Sequence, residues 1–168
     1  ELMIERLSRI SGIRKIIVAT GDDPVNYPII DLMGSLGIAV HVGSENDVLG
    51  RVLSTAQHYE TDIIVEITGD NPLIDPTLSS EIIESFLERK ESIVYASNDV
   101  GAHRREFQLT FPHGFSTKIF SRKQLERINK VALHSVDREH VVNYLVKNAN
   151  PEELYNFEAS GIYKRPEL

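Results

Sequence analysis

Apolar residues at Leu2, Met3, Ile4, Leu7 and Ile10 fall on one helical face, predicting a helix over residues 2–11 with Gly12 as its terminal glycine. Lys15-Ile16-Ile17-Val18-Ala19-Thr20 reads as a buried strand, and Gly21-Asp22-Asp23-Pro24 turns out of it. Ile29, Ile30, Leu32, Met33 and Leu36 return to helical spacing until Gly37. A second strand covers residues 38–42, followed by the polar loop Gly43-Ser44-Glu45-Asn46-Asp47. Val48, Leu49, Val52, Leu53 and Ala56 then line another helical face.

The next stretch organises the chain. Ile63-Ile64-Val65-Glu66-Ile67 is a short β-branched run that predicts a buried central strand. It stops at Thr68-Gly69-Asp70-Asn71-Pro72, where Gly and Pro break the ladder. Asp75 followed by Pro76 marks a helix start, and Leu78, Ile82, Ile83, Phe86 and Leu87 mark its inward face. Ile93-Val94-Tyr95-Ala96 predicts a fourth strand, and residues 97–112 a long polar loop. Alternation over residues 115–120 predicts a strand with one exposed face. Ser121-Arg122-Lys123-Gln124 has the spacing of a capping box that opens a helix through Ala132. A further helix is expected over residues 137–148 and a final strand over 157–163. Strand–helix alternation predicts an α/β protein with three layers, α/β/α, and a mostly parallel sheet of Rossmann-like type. In such a sheet the strands near Ile17, Ile64 and Val94 share one ladder.

Composition narrows the picture little. A chain of 168 residues, 41% hydrophobic and 26% charged, is an ordinary globular domain, read as one domain over its whole length. The net charge of −7 argues against a dominant nucleic-acid surface. No apolar run approaches a membrane span. With no cysteine, disulfides and thiolate metal sites are excluded. The chain opens on Glu1 with an apolar helical face already running, so we expect a domain truncated at both ends.

Three polar clusters follow predicted strands: Thr20-Gly21-Asp22-Asp23, Ser44 to Asp47, and Thr68-Gly69-Asp70-Asn71. In a parallel sheet they would converge on the carboxyl edge, where ligands bind. Asp70 offers a hard oxygen suited to Mg2+ carried by a phosphate-bearing substrate, or alternatively a simple Asx-turn. Ser44 and Asp47 suit either a helix cap or a substrate loop. Arg138-Glu139-His140 is read as the opening of a helix, either a solvated first turn or part of a polar site. His113 and His134 lack metal-ligand spacing, and no Walker, dinucleotide or nucleophile-elbow motif is present.

In order, Ile17-Val18-Ala19-Thr20, Gly43-Ser44-Glu45-Asn46-Asp47-Val48-Leu49, Ile67-Thr68-Gly69-Asp70-Asn71-Pro72-Leu73-Ile74-Asp75-Pro76, Ser97-Asn98, Phe111-Pro112, Arg138-Glu139-His140-Val141 and Arg165-Pro166-Glu167-Leu168 form a familiar set. It resembles the cytidylyltransferase family of acylneuraminate synthetases, closest to the branch named after spore-coat polysaccharide biosynthesis. The resemblance covers nearly the whole chain, and the block from Thr68 to Pro76 is its most specific part.

The resemblance implies a nucleotidyltransferase fold of the glycosyltransferase-A type. It implies transfer of CMP from CTP to an acidic or modified sugar, with Mg2+, in the cytoplasm, and it leaves room for a homodimer. Asp70 matches the metal-ligand aspartate, flanked at the cleft by Thr68, Gly69 and Asn71. Thr20, Ser44 and Asp47 match the nucleotide side, while Arg138, Glu139 and His140 match a motif placed with the substrate. Two family features lie outside these residues: a basic, glycine-containing loop before the first helix and a second carboxylate after Leu168. His113, Ser116 and Lys118 stand where the family tends to be acidic. The stretch alone is therefore expected to be weakly active or inactive. A non-catalytic nucleotide- or sugar-binding module and a glycosyltransferase of the same fold are the alternative readings.

Overall fold

The computed structural model describes residues 1–160. They fall into two compact units, each assembled from separate stretches of chain. One contains Glu1–Ile13, Ile63–Ser121 and the chain from Leu145 on; the other contains Arg14–Asp62 and Arg122–Tyr144.

The first unit is built on a four-stranded sheet of order β3-β5-β4-β6. These strands are β3 (Ile63–Glu66), β4 (Tyr95–Ser97), β5 (Lys118–Ser121) and β6 (Leu154–Asn156). β5 runs antiparallel to both neighbours, whereas β4 and β6 are parallel. Helix α4 (Pro76–Arg89) starts as its sequence predicts, with the Asp75 carboxylate accepting from Leu78 N at 2.9 Å and Pro76 in the first turn. Its Ile82, Ile83 and Phe86 pack with Ile10, Ile93, Ala96 and Ile119 into one buried cluster. Leu87, expected inward, is 43% exposed. Helix α1 (Leu2–Leu7) is shorter than predicted, and Gly12 takes its positive φ of 83° in the turn beyond it.

In the second unit, β1 (Ile17–Gly21) and β2 (Ala39–Gly43) pair in parallel, with Gly21 opposite Gly43. Between them runs α2 (Tyr27–Ser35). It ends in a Schellman turn: Ile38 N donates to Met33 O at 2.9 Å, Gly37 N to Gly34 O at 3.1 Å, and Gly37 has φ 68°. Only Met33 of its apolar residues is buried; Ile29, Leu32 and Leu36 keep about two-fifths of their surface. After β2 comes α3 (Val48–His58), with Leu49, Leu53 and Ala56 inward as predicted.

Several expectations need correction. β1 and β2 form a sheet of their own, so the strands near Ile17, Ile64 and Val94 do not share one ladder among the described residues. The α/β class holds, but the four-stranded sheet is mixed rather than mostly parallel. Among the described residues β3 lies at the edge of its sheet with all four residues half-buried, because an apolar run reports covered faces and not the number of bonded neighbours. The polar stretch after β4 contains a short helix, α5 (Val100–His103). After α6 (Arg122–Asn129), the single helix expected over 137–148 is two: α7 (Ser135–Glu139) and α8 (Asn143–Asn148). His140, with ψ 89°, leaves the first, and Asn143 N bonding back to His140 O at 2.8 Å starts the second. Among the described residues the last strand is β6; of the strand expected over 157–163, residues 157–160 carry none, and 161–163 lie outside the described residues.

Phe86→Ala, which empties a 2%-exposed position, is expected to lower unfolding free energy by about 3–5 kcal/mol. Leu87→Ala beside it should cost under about 1 kcal/mol, because much of that side chain stays in water. Urea denaturation of both variants checks the pair.

Candidate functional site

The turn after β3 is built by its own side chains. Thr68 O accepts from Asn71 N at 3.0 Å, and Asn71 O from Ile74 N at 3.2 Å. This folds the backbone back before Pro72 and leads into the α4 cap. Asp70 is exposed at the tip, and Asn71 is 6% exposed beneath it. The Thr68 hydroxyl donates to Asp70 Oδ1. Asn71 Nδ2 donates to Thr68 Oγ1 at 2.7 Å and to Asp70 Oδ1 at 3.0 Å. Asn71 Oδ1 accepts from Ser116 N at 3.2 Å. Gly69 is exposed, and a Cβ there would meet nothing within 4 Å, so close packing does not require glycine at this position.

The segment that Asn71 touches is held from a second side. Asn98, 2% exposed just after β4, accepts from Thr117 N at 3.0 Å and donates to Phe115 O at 3.1 Å. Ser79 Oγ and Thr117 Oγ1 are 2.8 Å apart. Behind β4 lies a buried polar group. Ser97 Oγ donates to Asp99 Oδ1 at 2.5 Å, and Tyr95 OH donates to the same oxygen at 3.4 Å. Burial, with the negative Asp99 beside it, raises the Tyr95 phenol well above its ordinary range.

In the second unit the loop between β2 and α3 is held at Ser44, Glu45 and Asp47. Thr20, 8% exposed, lies on β1 opposite Val42. Ser44 Oγ accepts from Asp47 N at 3.1 Å, while Arg51 Nη1 donates to Ser44 O at 2.5 Å and to Glu45 O at 3.3 Å. The Glu45 carboxylate accepts from Asn26 Nδ2 at 2.9 Å and occupies the space where a Cβ on Gly21 would sit. Asp47 caps α3 by accepting from Gly50 N at 2.9 Å. It also takes a two-pronged contact from Arg138: Nε donates to Oδ1 at 2.8 Å and Nη2 to Oδ2 at 2.5 Å. A Cβ on Gly50 would collide with this carboxylate. Arg138 is braced in turn by Asn129 Oδ1 at 2.8 Å.

The structure thus joins Asp47 to Arg138, two residues singled out separately in the sequence, and directs them at each other. Burial by itself would raise the Asp47 pKa, but the bonds from Arg138 and the Gly50 N–H outweigh it and hold the carboxyl below its ordinary value. Arg138 and Glu139 stand at the end of α7 rather than opening a helix, and His140 caps it; Glu139 and His140 are both exposed. Sequence reading missed Arg51 and Asn129, and it quoted Glu45 and Asn98 within motifs without giving either a role. The one cue available was the pairing of Gly21 and Gly50 with nearby acids, which is visible only once the chain is folded.

The family model for cytidylyltransferases matches residues 1–165. This chain belongs to the cytidylyltransferase family. An uncharacterized protein of Methanocaldococcus jannaschii is 33% identical over 165 residues, covering 98% of this chain and 63% of the relative. The spore coat polysaccharide biosynthesis protein SpsF of Bacillus subtilis is 24% identical over 153 residues, covering 90% and 59%. A solved cytidylyltransferase structure from Leptospira borgpetersenii superposes with TM-score 0.87 at 27% identity, covering 99% of this chain and 66% of that one. The chain therefore spans 59–66% of the length of these three proteins. The Rossmann-like nucleotidyltransferase fold expected from the sequence is the fold of this family member. No helix among the described residues is long and apolar enough to cross a membrane.

Arg138→Ala is expected to cost about 1–2 kcal/mol, the low end for charge-assisted bonds because the Asp47 side chain is 39% exposed and screened. Since folding lowers the Asp47 pKa, this stabilisation is complete above the unfolded value of about 3.9 and disappears as pH falls through the folded one. Urea midpoints of wild type and variant should differ near neutral pH and converge as the pH falls through the lowered Asp47 pKa.

Proposed function

We propose that the protein is a sugar-activating cytidylyltransferase: it transfers CMP from CTP to an acidic or modified sugar, releasing pyrophosphate, in the synthesis of a cell-surface polysaccharide. The observation that carries this reading is the exposed Asp70 carboxylate, fixed on the turn after β3 in a chain matched to the family over residues 1–165. The likeness to a spore coat polysaccharide biosynthesis protein supports the sugar side.

The reaction joins a sugar hydroxyl oxygen to the α-phosphorus as the bond to the β-phosphate bridging oxygen breaks. The hydroxyl proton is released, and pyrophosphate takes the bonding pair. Such displacement depends on positioning and charge neutralisation more than on a covalent nucleophile. Mg2+ fits the donor chemistry at Asp70, a single exposed hard oxygen ligand. No group of three or more His, Asp or Glu able to hold a metal occurs among the described residues. That is the pattern for an ion that shares its coordination with substrate phosphates rather than a protein cage. Bound there, Mg2+ would offset charge on the transferring phosphate. The chain's own part is to hold the Asp70 carboxylate at a fixed angle, which Thr68 and Asn71 do. In the second unit, the preformed loop of Ser44 to Asp47 at the end of the parallel pair is the nucleotide-side candidate.

A pyrophosphate-release screen with the four ribonucleoside triphosphates and a panel of acidic sugars tests the assignment. CTP with one acidic sugar is expected to give the signal, and release with no triphosphate would reject it. Asp70→Asn should lower kcat by about 10²–10³-fold with little change in melting, since Asn keeps the turn while removing the charge. Normal turnover with a large loss of stability would make Asp70 a turn residue.

A further inference from the structure

Resting on the metal role proposed for Asp70, we infer that this carboxylate engages its cation through one oxygen, Oδ2, and that Thr68 and Asn71 are the positioning residues that impose this. Both hydrogen bonds to the carboxylate end on Oδ1, one from the Thr68 hydroxyl and one from Asn71 Nδ2. Among the described residues no bond reaches Oδ2. Two donors on one oxygen use up its in-plane lone-pair directions, so a cation meets the remaining oxygen. The donors are linked, because Asn71 Nδ2 also bonds Thr68 Oγ1 at 2.7 Å, which turns the hydroxyl proton toward Asp70.

Asn71 is itself held at both ends of its amide. It is 6% exposed, and its Oδ1 is taken by Ser116 N at 3.2 Å. Every side-chain polar atom of Thr68, Asp70 and Asn71 except Asp70 Oδ2 therefore has an assigned partner, and the carboxylate plane is set by the protein before any ligand arrives. A hard octahedral ion at short metal–oxygen distances tolerates little error in ligand angle, so this fixation bears on affinity for the metal-bound triphosphate and not on affinity for the triphosphate alone.

The test separates those two affinities. Binding of Mn2+·CTP is followed by water-proton relaxation, and binding of CTP in EDTA by calorimetry, on the wild type and on T68V, T68S, N71A and D70N. The metal-dependent gain in affinity is expected to fall about tenfold in T68V and N71A, with CTP affinity in EDTA within about twofold of wild type. T68S, which keeps the hydroxyl, should restore the gain. Equal gains in T68V and wild type overturn the positioning role, and the T68V/T68S pair decides this even where N71A fails to fold. An equal loss of both affinities also overturns it, as the mark of a merely structural residue. If D70N keeps the full gain, the metal assignment fails and the inference with it. If D70N loses the gain while T68V and N71A keep it, the metal assignment stands and only the positioning fails.

Discussion

Strand β5 is bonded on both sides, and its unit depends on that double pairing. β3 has no other partner among the described residues, and β4 reaches it only through β5. A central strand must arrive in register or neither ladder closes. The residues that lead into β5 have no strand partner of their own at 115–117. Their backbone groups are met instead by amide side chains, Asn71 on one side and Asn98 on the other. Asparagine offers a donor and an acceptor on one short stem, so a buried Asn can stand in for a stretch of neighbouring strand. The same Asn71 orients Asp70, which places the candidate chemistry and the sheet register under one residue.

The second unit solves a related problem with charge. Its loop between β2 and α3 has a reverse turn and a helix start to satisfy, and Arg51, Glu45 and Asp47 do so from within the unit. The Arg138 fork on Asp47 matters because it spans 91 positions of sequence. It ties the chain after α6 to the start of α3, so the loop's shape is not set by local residues alone. Two glycines make room: Gly21 under Glu45 and Gly50 under Asp47.

Much of this was legible in the residues. The Asp75-Pro76 start of α4, the Gly37 stop of α2 and the inward face of α3 are local rules of capping and period, and they hold. Asp70 at an exposed turn after a strand was equally plain. What escaped was decided by neighbours distant in sequence. Nothing in Ile63 to Glu66 says that its partner among the described residues is the antiparallel β5. The Asp137 and Asn143 side chains bond across the break between α7 and α8, a local closure that helical spacing of Val141, Val142, Leu145 and Val146 conceals. The apolar residues on α2 read as an inward face, yet only Met33 is covered.

Both units are made of stretches separated in sequence, and this governs the order in which they can form. On the ribosome a chain emerges amino terminus first, at about 5–20 residues per second. β1, α2, β2 and α3 are available early, and the parallel pair can close over local distances. β3 emerges next, and the β5 strand it bonds to follows more than fifty positions later. β4 gains its second partner only with Leu154–Asn156. Arg104 likewise finds the carbonyls of Val146 and Ala149, which terminate α8, only near the end. During that interval the apolar run Ile63-Ile64-Val65 lacks its β5 partner, and a strand waiting for a partner is the kind of segment that chaperones shield.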